Sequence, residues 1–326
     1  MLKLRVSVNK EAMKIVDKML SEEESLNIKS YKSKSGATVI DCGVEVVGGY
    51  RAGIYVSEVC LGGLATISLT LDTYDDLSLP SIVEFIDSPT IACMGSQYAG
   101  WKISYEKFSA LGSGPARALA LKPKKLFKKI EYQDYSDEAV LVLEANEYPP
   151  DEALVNVASA CKVDPENLYV IVAPINSIVG SIQVSCRVVE VGIHKLDVVG
   201  FDIKRILGGF GKCPIAPLHP DPMIMMGLTN DVLIYAGDVS ITVSYENDEE
   251  LASLVSKVPS STSPSYGKPF YEIYKEAGFD FYKVDPRIFA PASITMYNKV
   301  SGKVHKGGRV DMKLLVKLLS ASLGIS

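Results

Sequence analysis

The chain is poor in histidine and has no metal-binding or redox spacing. His194, His219 and His305 stand far apart and no His-Glu-x-x-His occurs, which argues against a catalytic metal held by protein ligands. The cysteines (Cys42, Cys60, Cys93, Cys161, Cys186, Cys213) are scattered, without a Cys-x-x-Cys. That spacing argues against a zinc ribbon or a thioredoxin-like pair, and small buried thiols in a reducing, cytoplasmic setting are expected. Basic charge is not in excess: the net charge is −5, which argues against nucleic acid as a partner. The opening residues, MLKLRVSVNKEAMKIV, are charged too early for a signal-peptide core. Nucleotide and nucleophile fingerprints are missing as well. GSGPAR (112–117) has Arg117 where the last Gly of G-x-G-x-x-G belongs, LGGFGKC (207–213) lacks the register and the Ser/Thr of a Walker loop, and no G-x-S-x-G exists.

One stretch lacks charge altogether, from Leu168 to Cys186. It approaches the length of a membrane span, but Pro174, Asn176, Ser177, Gly180, Ser181 and Gln183 interrupt it, so it reads as buried core and no membrane partner is expected. We expect a strand over Leu168–Val172, a turn over Pro174–Ser181, and then a helix. Charge returns at Arg187 and Glu190, three apart and so on one helix face. Two readings stand at this point. One is a helix-surface salt bridge, worth well under ~1 kcal/mol. The other is a positioned carboxylate whose basicity a guanidinium tunes.

The 326 residues, 47% apolar and 22% charged, are those of an ordinary globular protein of two domains. We place these at 1–135 and 136–326, with the C-terminal segment free to pack back on the first. Asn9 is positioned to cap a helix with apolar Ala12, Ile15, Val16, Met19 and Leu20. The stretch 22–36 reads as helix end and loop, 37–43 as a strand, and 54–71 as helix running into strand. TIACMGSQYAGWKISYE (90–106) fits two strands around a turn, or a helix and then a strand. Further strands are expected at 137–145 and 280–285, and helices at 149–163, 247–258 and from Tyr271. LTND (228–231) and HPDP (219–222) read as solvated turns, and 226–246 as a turn with two strands. A hairpin over 293–310 and a helix over Met312–Leu323 close the chain. The class is α/β, mixed α+β, with mixed sheets. GGYRAGIYVSEVCLGGL (48–64) echoes SIVGSIQVSCRVVEVGIHKL (177–196), which leaves open two related halves or the ordinary likeness of α/β segments. At GSGPAR, Ser113 near the cap and Gly114 before Pro115 make a helix start, where N–H groups and Arg117 could receive an anion.

These stretches resemble the methenyltetrahydromethanopterin cyclohydrolases, an archaeal and methylotroph family of one-carbon metabolism. The resemblance runs along nearly the whole chain: SVNKEAMKIV (7–16), IDCGVEVVGGYRAG (40–53), SEVCLGGLAT (57–66), GSGPARALALKPK (112–124), VDPENLY (163–169), SIVGSIQVSCRVVE (177–190), PIAP (214–217), MGLTND (226–231), YGKPFYEI (266–273) and DFYKVDP (280–286). Ile175 and Asn176 stand where a Thr-Ala pair is usual, and 201–225 diverges. The resemblance implies two α/β domains with a pocket between them, a homotrimer, and no metal or prosthetic group. It implies reversible hydrolysis of the methenyl bridge of 5,10-methenyltetrahydromethanopterin to the 5-formyl compound. It maps the family's Arg and Glu onto Arg187 and Glu190, with Glu190 as general base and Arg187 as its clamp. In that setting the Ser113–Gly114–Arg117 turn is expected to take the phosphate tail of the coenzyme. Ser96, Gln97, Ser181, Gln183, Asn230 and Lys268 are further candidates to face the pterin. The competing readings are another one-carbon-transfer enzyme on the same coenzyme and a non-catalytic pterin-binding protein.

Overall fold

The structure is a computed structural model that describes residues 6–74, 77–280 and 283–324. In chain order its strands are β1 (Lys29–Lys32), β2 (Thr38–Asp41), β3 (Ala65–Tyr74), β4 (Leu77–Ile86), β5 (Trp101–Tyr105), β6 (Phe108–Ser113), β7 (Ala139–Glu144), β8 (Leu168–Val172), β9 (Ile206–Pro214), β10 (Asp238–Val243), β11 (Ser293–Asn298) and β12 (Val304–Gly308). Its α-helices are α1 (Val8–Ser21), α2 (Glu23–Leu26), α3 (Tyr50–Cys60), α4 (Ala116–Ala120), α5 (Lys124–Ile130), α6 (Asp151–Cys161), α7 (Ile178–Ser185), α8 (Val188–Val198), α9 (Pro222–Ala236), α10 (Asp248–Val255), α11 (Phe270–Glu276) and α12 (Met312–Leu323). Two mixed six-stranded sheets result, ordered β1-β2-β8-β7-β6-β5 and β12-β11-β10-β9-β4-β3. This is the mixed α/β class expected from the alternation of patterns.

One compact unit comprises Met1–Thr66 and Thr90–Gln183. In its sheet β2, β8 and β7 run parallel, and these strands are apolar almost throughout because helices cover both faces. Alternate residues serve opposite cores. Ile40, Val140, Val142 and Ile171 meet Val16 and Met19 of α1 and Val56 and Val59 of α3. Val39, Leu141, Leu143 and Val170 meet Leu154, Val157 and Ala158 of α6. The helix expected near Asn9 is present, but its cap is Ser7, whose Oγ accepts from the Lys10 N–H (3.2 Å). Asn9 is instead buried inside the first turn. Its N–H and Nδ2 donate to Asp134 Oδ2 (2.9 and 2.8 Å), and its Oδ1 accepts from the Val140 N–H (3.0 Å). A buried amide is retained where each polar atom finds a partner, and here it ties α1 to β7. The stretch 22–36 holds α2 and β1 rather than loop alone. TIACMGSQYAGWKISYE is a π-helix (Thr90–Gln97) followed by β5, the helix-then-strand alternative. The uncharged run is β8, a turn, and α7. That helix starts at Ile178, earlier than expected, because Ser177 Oγ accepts from the Gly180 N–H (3.0 Å) and satisfies a free donor of the first turn.

The other unit comprises Ile67–Pro89 and Val184–Ser326. Helix α8 lies on β9 and β10, and α9 packs against α11 and α12. The hairpin β11–β12 and helix α12 stand where the sequence places them. The turn expected at 228–231, and the first of the two strands expected over 226–246, are instead part of α9. Asp221 of HPDP is its N-cap, with Oδ1 accepting from the Met223 N–H (2.8 Å), and Pro222 takes the first helical position. The polar letters that suggested a solvated turn are paired inside the helix bundle. Thr229 Oγ1 donates to Met225 O (3.0 Å), Asn230 Nδ2 donates to Met226 O (2.8 Å), and Asp231 Oδ1 accepts from the Phe270 N–H (2.8 Å), which caps α11. Burial pushes the Asp231 carboxyl up to about 8. The strand expected at 280–285 takes in residues 281 and 282, which lie outside the described residues. Among the described residues no helix is long and apolar enough to cross a membrane.

Candidate functional site

Arg187 sits at the junction of two helices. Its N–H donates to Val184 O (3.0 Å) and its own carbonyl accepts from the Val191 N–H (2.8 Å), so it ends one helical segment and is the N-cap residue of α8. Glu190 lies in the first turn. The guanidinium Nη1 is 3.3 Å from Glu190 Oε2, with the two side chains 13% and 7% exposed. A helix-surface bridge would be solvated, and this pair is not. The contact uses one carboxylate oxygen rather than the two-point fork that guanidinium geometry allows, so the grip on Glu190 is at a single point.

A third ionisable group underlies the pair. Glu84 of β4 is fully buried, and its Oε1 accepts from the Val189 N–H (3.1 Å). Burial and the nearby charge of Glu190 push its carboxyl up to about 8, against the pull of the Val189 N–H. Sequence reasoning missed Glu84. The signal was there in LSLPSIVEFI: Ile82, Glu84 and Ile86 share one strand face, and an acid in the apolar register of a strand is out of place unless the fold uses it.

In the first unit, Ser96, Ser113, Gly114 and Arg117 are brought together, with Gln97 adjoining. Ser96 and Gln97 end the π-helix, a form that recurs at functional sites. Ser96 Oγ donates to Cys60 O (2.6 Å), Ser113 Oγ to Cys60 Sγ (3.4 Å), and the Gly114 N–H to Ser96 O (2.9 Å). Gly114 has φ +98°, a conformation that favours glycine. Arg117 is fully buried. Its Nη1 donates to Ser96 O (2.8 Å) and Met94 O (3.3 Å), and its guanidinium lies 5.4 Å from the Tyr98 ring centre and 5.5 Å from that of Phe127. Arg117, expected to add charge to an anion site at this turn, points inward, onto the carbonyls of Met94 and Ser96. Arg117→Ala should lower unfolding stability by about 3 kcal/mol or more, since a buried charge network and a large side chain go together. Denaturant unfolding checks this, and a loss within ~0.5 kcal/mol, as at a surface site, would contradict it.

Ser181 and Gln183 are buried on α7. Asn230 turns back on its own helix, and Lys268 is exposed and paired with Glu276 (2.8 Å). All six cysteines are buried and none is in a disulfide. Among the described residues no three His, Cys, Asp or Glu side chains are grouped to hold a metal ion.

Residues 7–319 match the sequence profile of the cyclohydrolase (MCH) family. The chain belongs to the cyclohydrolase (MCH) family. As a cyclohydrolase it is an enzyme, and its relatives share almost its full length. A methenyltetrahydromethanopterin cyclohydrolase of Methanococcoides burtonii is 50% identical over 312 residues, covering 96% of this chain and 98% of the relative. Those of Methanosarcina barkeri and Methanocaldococcus jannaschii are 46% and 44% identical, with the same coverage of both chains. The chain thus carries an Arg187–Glu190 contact shielded from solvent, with the buried Glu84 beneath it.

Proposed function

We propose that the chain hydrolyses the methenyl bridge of 5,10-methenyltetrahydromethanopterin reversibly to 5-formyltetrahydromethanopterin, with Glu190 as general base and Arg187 as its clamp. The shielded Arg187–Glu190 contact carries this reading, together with the names of the relatives. A methenyl bridge between two nitrogens is a delocalised cation, so its carbon is electrophilic without further polarisation. Water needs a base and a fixed position. Anchored at Oε2, Glu190 can address a water through Oε1. The water oxygen bonds to the methenyl carbon while its proton passes to Glu190. Collapse of the tetrahedral adduct breaks one C–N bond, and protonated Glu190 returns a proton to the departing nitrogen. The second water proton is released as the carbonyl forms, so cation plus water gives formyl compound plus H⁺.

The coenzyme derivative is the substrate in this scheme, which calls for no resident metal or prosthetic group. Ser96, Gln97, Ser181 and Gln183 are proposed to present polar groups to it. Arg117 is proposed to contribute by fixing the 94–97 segment. The chain is proposed to be cytoplasmic.

The purified chain, given the methenyl coenzyme in chelator-treated buffer, should bleach the methenyl chromophore catalytically and yield the 5-formyl product. Binding without turnover would overturn the reading and favour a pterin-binding scaffold.

A homotrimer is also proposed. The outer face of the second sheet leaves Phe85, Phe210 and Tyr297 exposed, with Phe85 and Phe210 edge-on at 4.8 Å. Contiguous apolar surface of this kind is covered in assembled proteins. Light scattering should give three chain masses for the native protein and one for Phe85→Lys. A monomeric native protein would contradict this.

A further inference from the structure

We infer that Glu84 is a positioning residue of this site: it caps, from the neighbouring strand, the helix that carries Arg187 and Glu190, and its ionisation would set a second negative charge beside Glu190. The inference rests on the proposed base role of Glu190.

A helix start normally takes its cap from a short oxygen-bearing side chain at the N-cap. Here that position is Arg187, which makes no side-chain capping bond. The Val189 N–H, one of the free donors of the first turn, is taken instead by Glu84 Oε1 at 3.1 Å. The close approach needs Gly211, which faces Glu84 across the β4–β9 ladder. A Cβ at Gly211 would lie 2.5 Å from Val188 Cγ1, 2.7 Å from Val189 Cγ2 and 3.1 Å from Glu84 Oε1. The bare strand therefore lets α8 settle where Glu84 can reach it.

The second oxygen, Oε2, is buried with no hydrogen-bond partner among the described residues. A carboxylate left so would be costly, whereas a neutral carboxyl accepts through one oxygen at far less cost. The ionisable groups facing Glu84 are Glu190 from α8 and Cys213 from β9. The Cys213 thiol is itself pushed well up by burial and by Glu84. Lys212 and Asp72 pair at 2.7 Å, and Lys212, next to Cys213 along the strand, projects to the other face of the sheet. Ionisation of Glu84 would place a second negative charge beside Glu190, at the start of the helix that holds it.

The test is the pH profile of kcat for the native protein, Glu84→Gln and Glu84→Leu. Native turnover should decline on the alkaline side with a midpoint of about 8. Glu84→Gln keeps the acceptor for Val189 and cannot ionise. Below neutral pH it should stay within about threefold of native and lack the alkaline decline, while Glu84→Leu, without the cap, should lose about tenfold in kcat with KM little changed. An alkaline decline retained in Glu84→Gln at the native midpoint would overturn the inference, as would equal losses in both variants at every pH.

Infrared titration of the substrate-free protein reads the same group without catalysis. A protonated-carboxyl band present at neutral pH and lost with a midpoint of about 8 should be missing in Glu84→Gln. The Asp231→Asn variant removes the contribution of Asp231, the other buried acid pushed to about 8. A difference band absent between native and Glu84→Gln would overturn the inference even if Glu84→Leu fails to fold. Inactivity of the native protein toward the methenyl coenzyme would sink the functional proposal and leave the infrared result standing.

Discussion

Glu190→Gln should bind the methenyl coenzyme with KM within a few-fold of native and lose about three decades of kcat, some 4 kcal/mol of transition-state stabilisation. Gln matches Glu in length and can still offer an oxygen to Arg187 Nη1, now 3.3 Å from Glu190 Oε2. The substitution removes basicity and little else. Loss of kcat with KM kept is the signature of an interaction made in the transition state. The substrate is a cation, so losing the carboxylate charge also costs some attraction, which is why a few-fold rise in KM is expected. Steady-state kinetics checks both numbers. A Glu190→Gln enzyme within tenfold of native kcat would remove Glu190 from the base role.

Arg187→Ala should cost about two decades of kcat and, separately, about 3 kcal/mol of stability. Glu190 is 7% exposed in its side chain, so without its partner a nearly buried carboxylate loses both its countercharge and its fixed rotamer. The single-point contact makes the direction of the guanidinium matter. Arg187→Lys keeps the charge on a more flexible stem and should fall between Arg and Ala. Kinetics and denaturant unfolding on the same preparations separate the two costs. Arg187→Ala that unfolds earlier yet turns over within threefold of native would make the pair structural only.

The readable parts of the chain were those where local pattern and packing agree. Strand β8 and helix α12 have the bounds their apolar patterns give, and the β11–β12 hairpin turns where Ser301–Gly302 suggests. Arg187 and Glu190 were legible as a pair from spacing, but their shielding was not. That follows from β4 and β9 lying against the start of α8, contacts far apart in sequence. Helix α9 was misread because Gly227, Thr229, Asn230 and Asp231 are turn formers when solvated. In the helix Thr229 and Asn230 donate to carbonyls one turn back, and Asp231 takes the Phe270 N–H that only the packed α11 supplies. Arg117 was legible as a charge at a helix start, but its direction was set by the carbonyls of Met94 and Ser96. Glu84 was signalled by its place in the apolar register of β4, but what it binds, the Val189 N–H across from Gly211, lies far away in sequence.

The most direct test of the central claim is a single turnover. Enzyme in excess is mixed with the methenyl coenzyme and loss of the chromophore is followed, native against Glu190→Gln. With Glu190 as the base, the variant should bind the coenzyme fully and bleach it about a thousandfold more slowly than native. Bleaching of bound coenzyme by Glu190→Gln at a rate near the native one would contradict it.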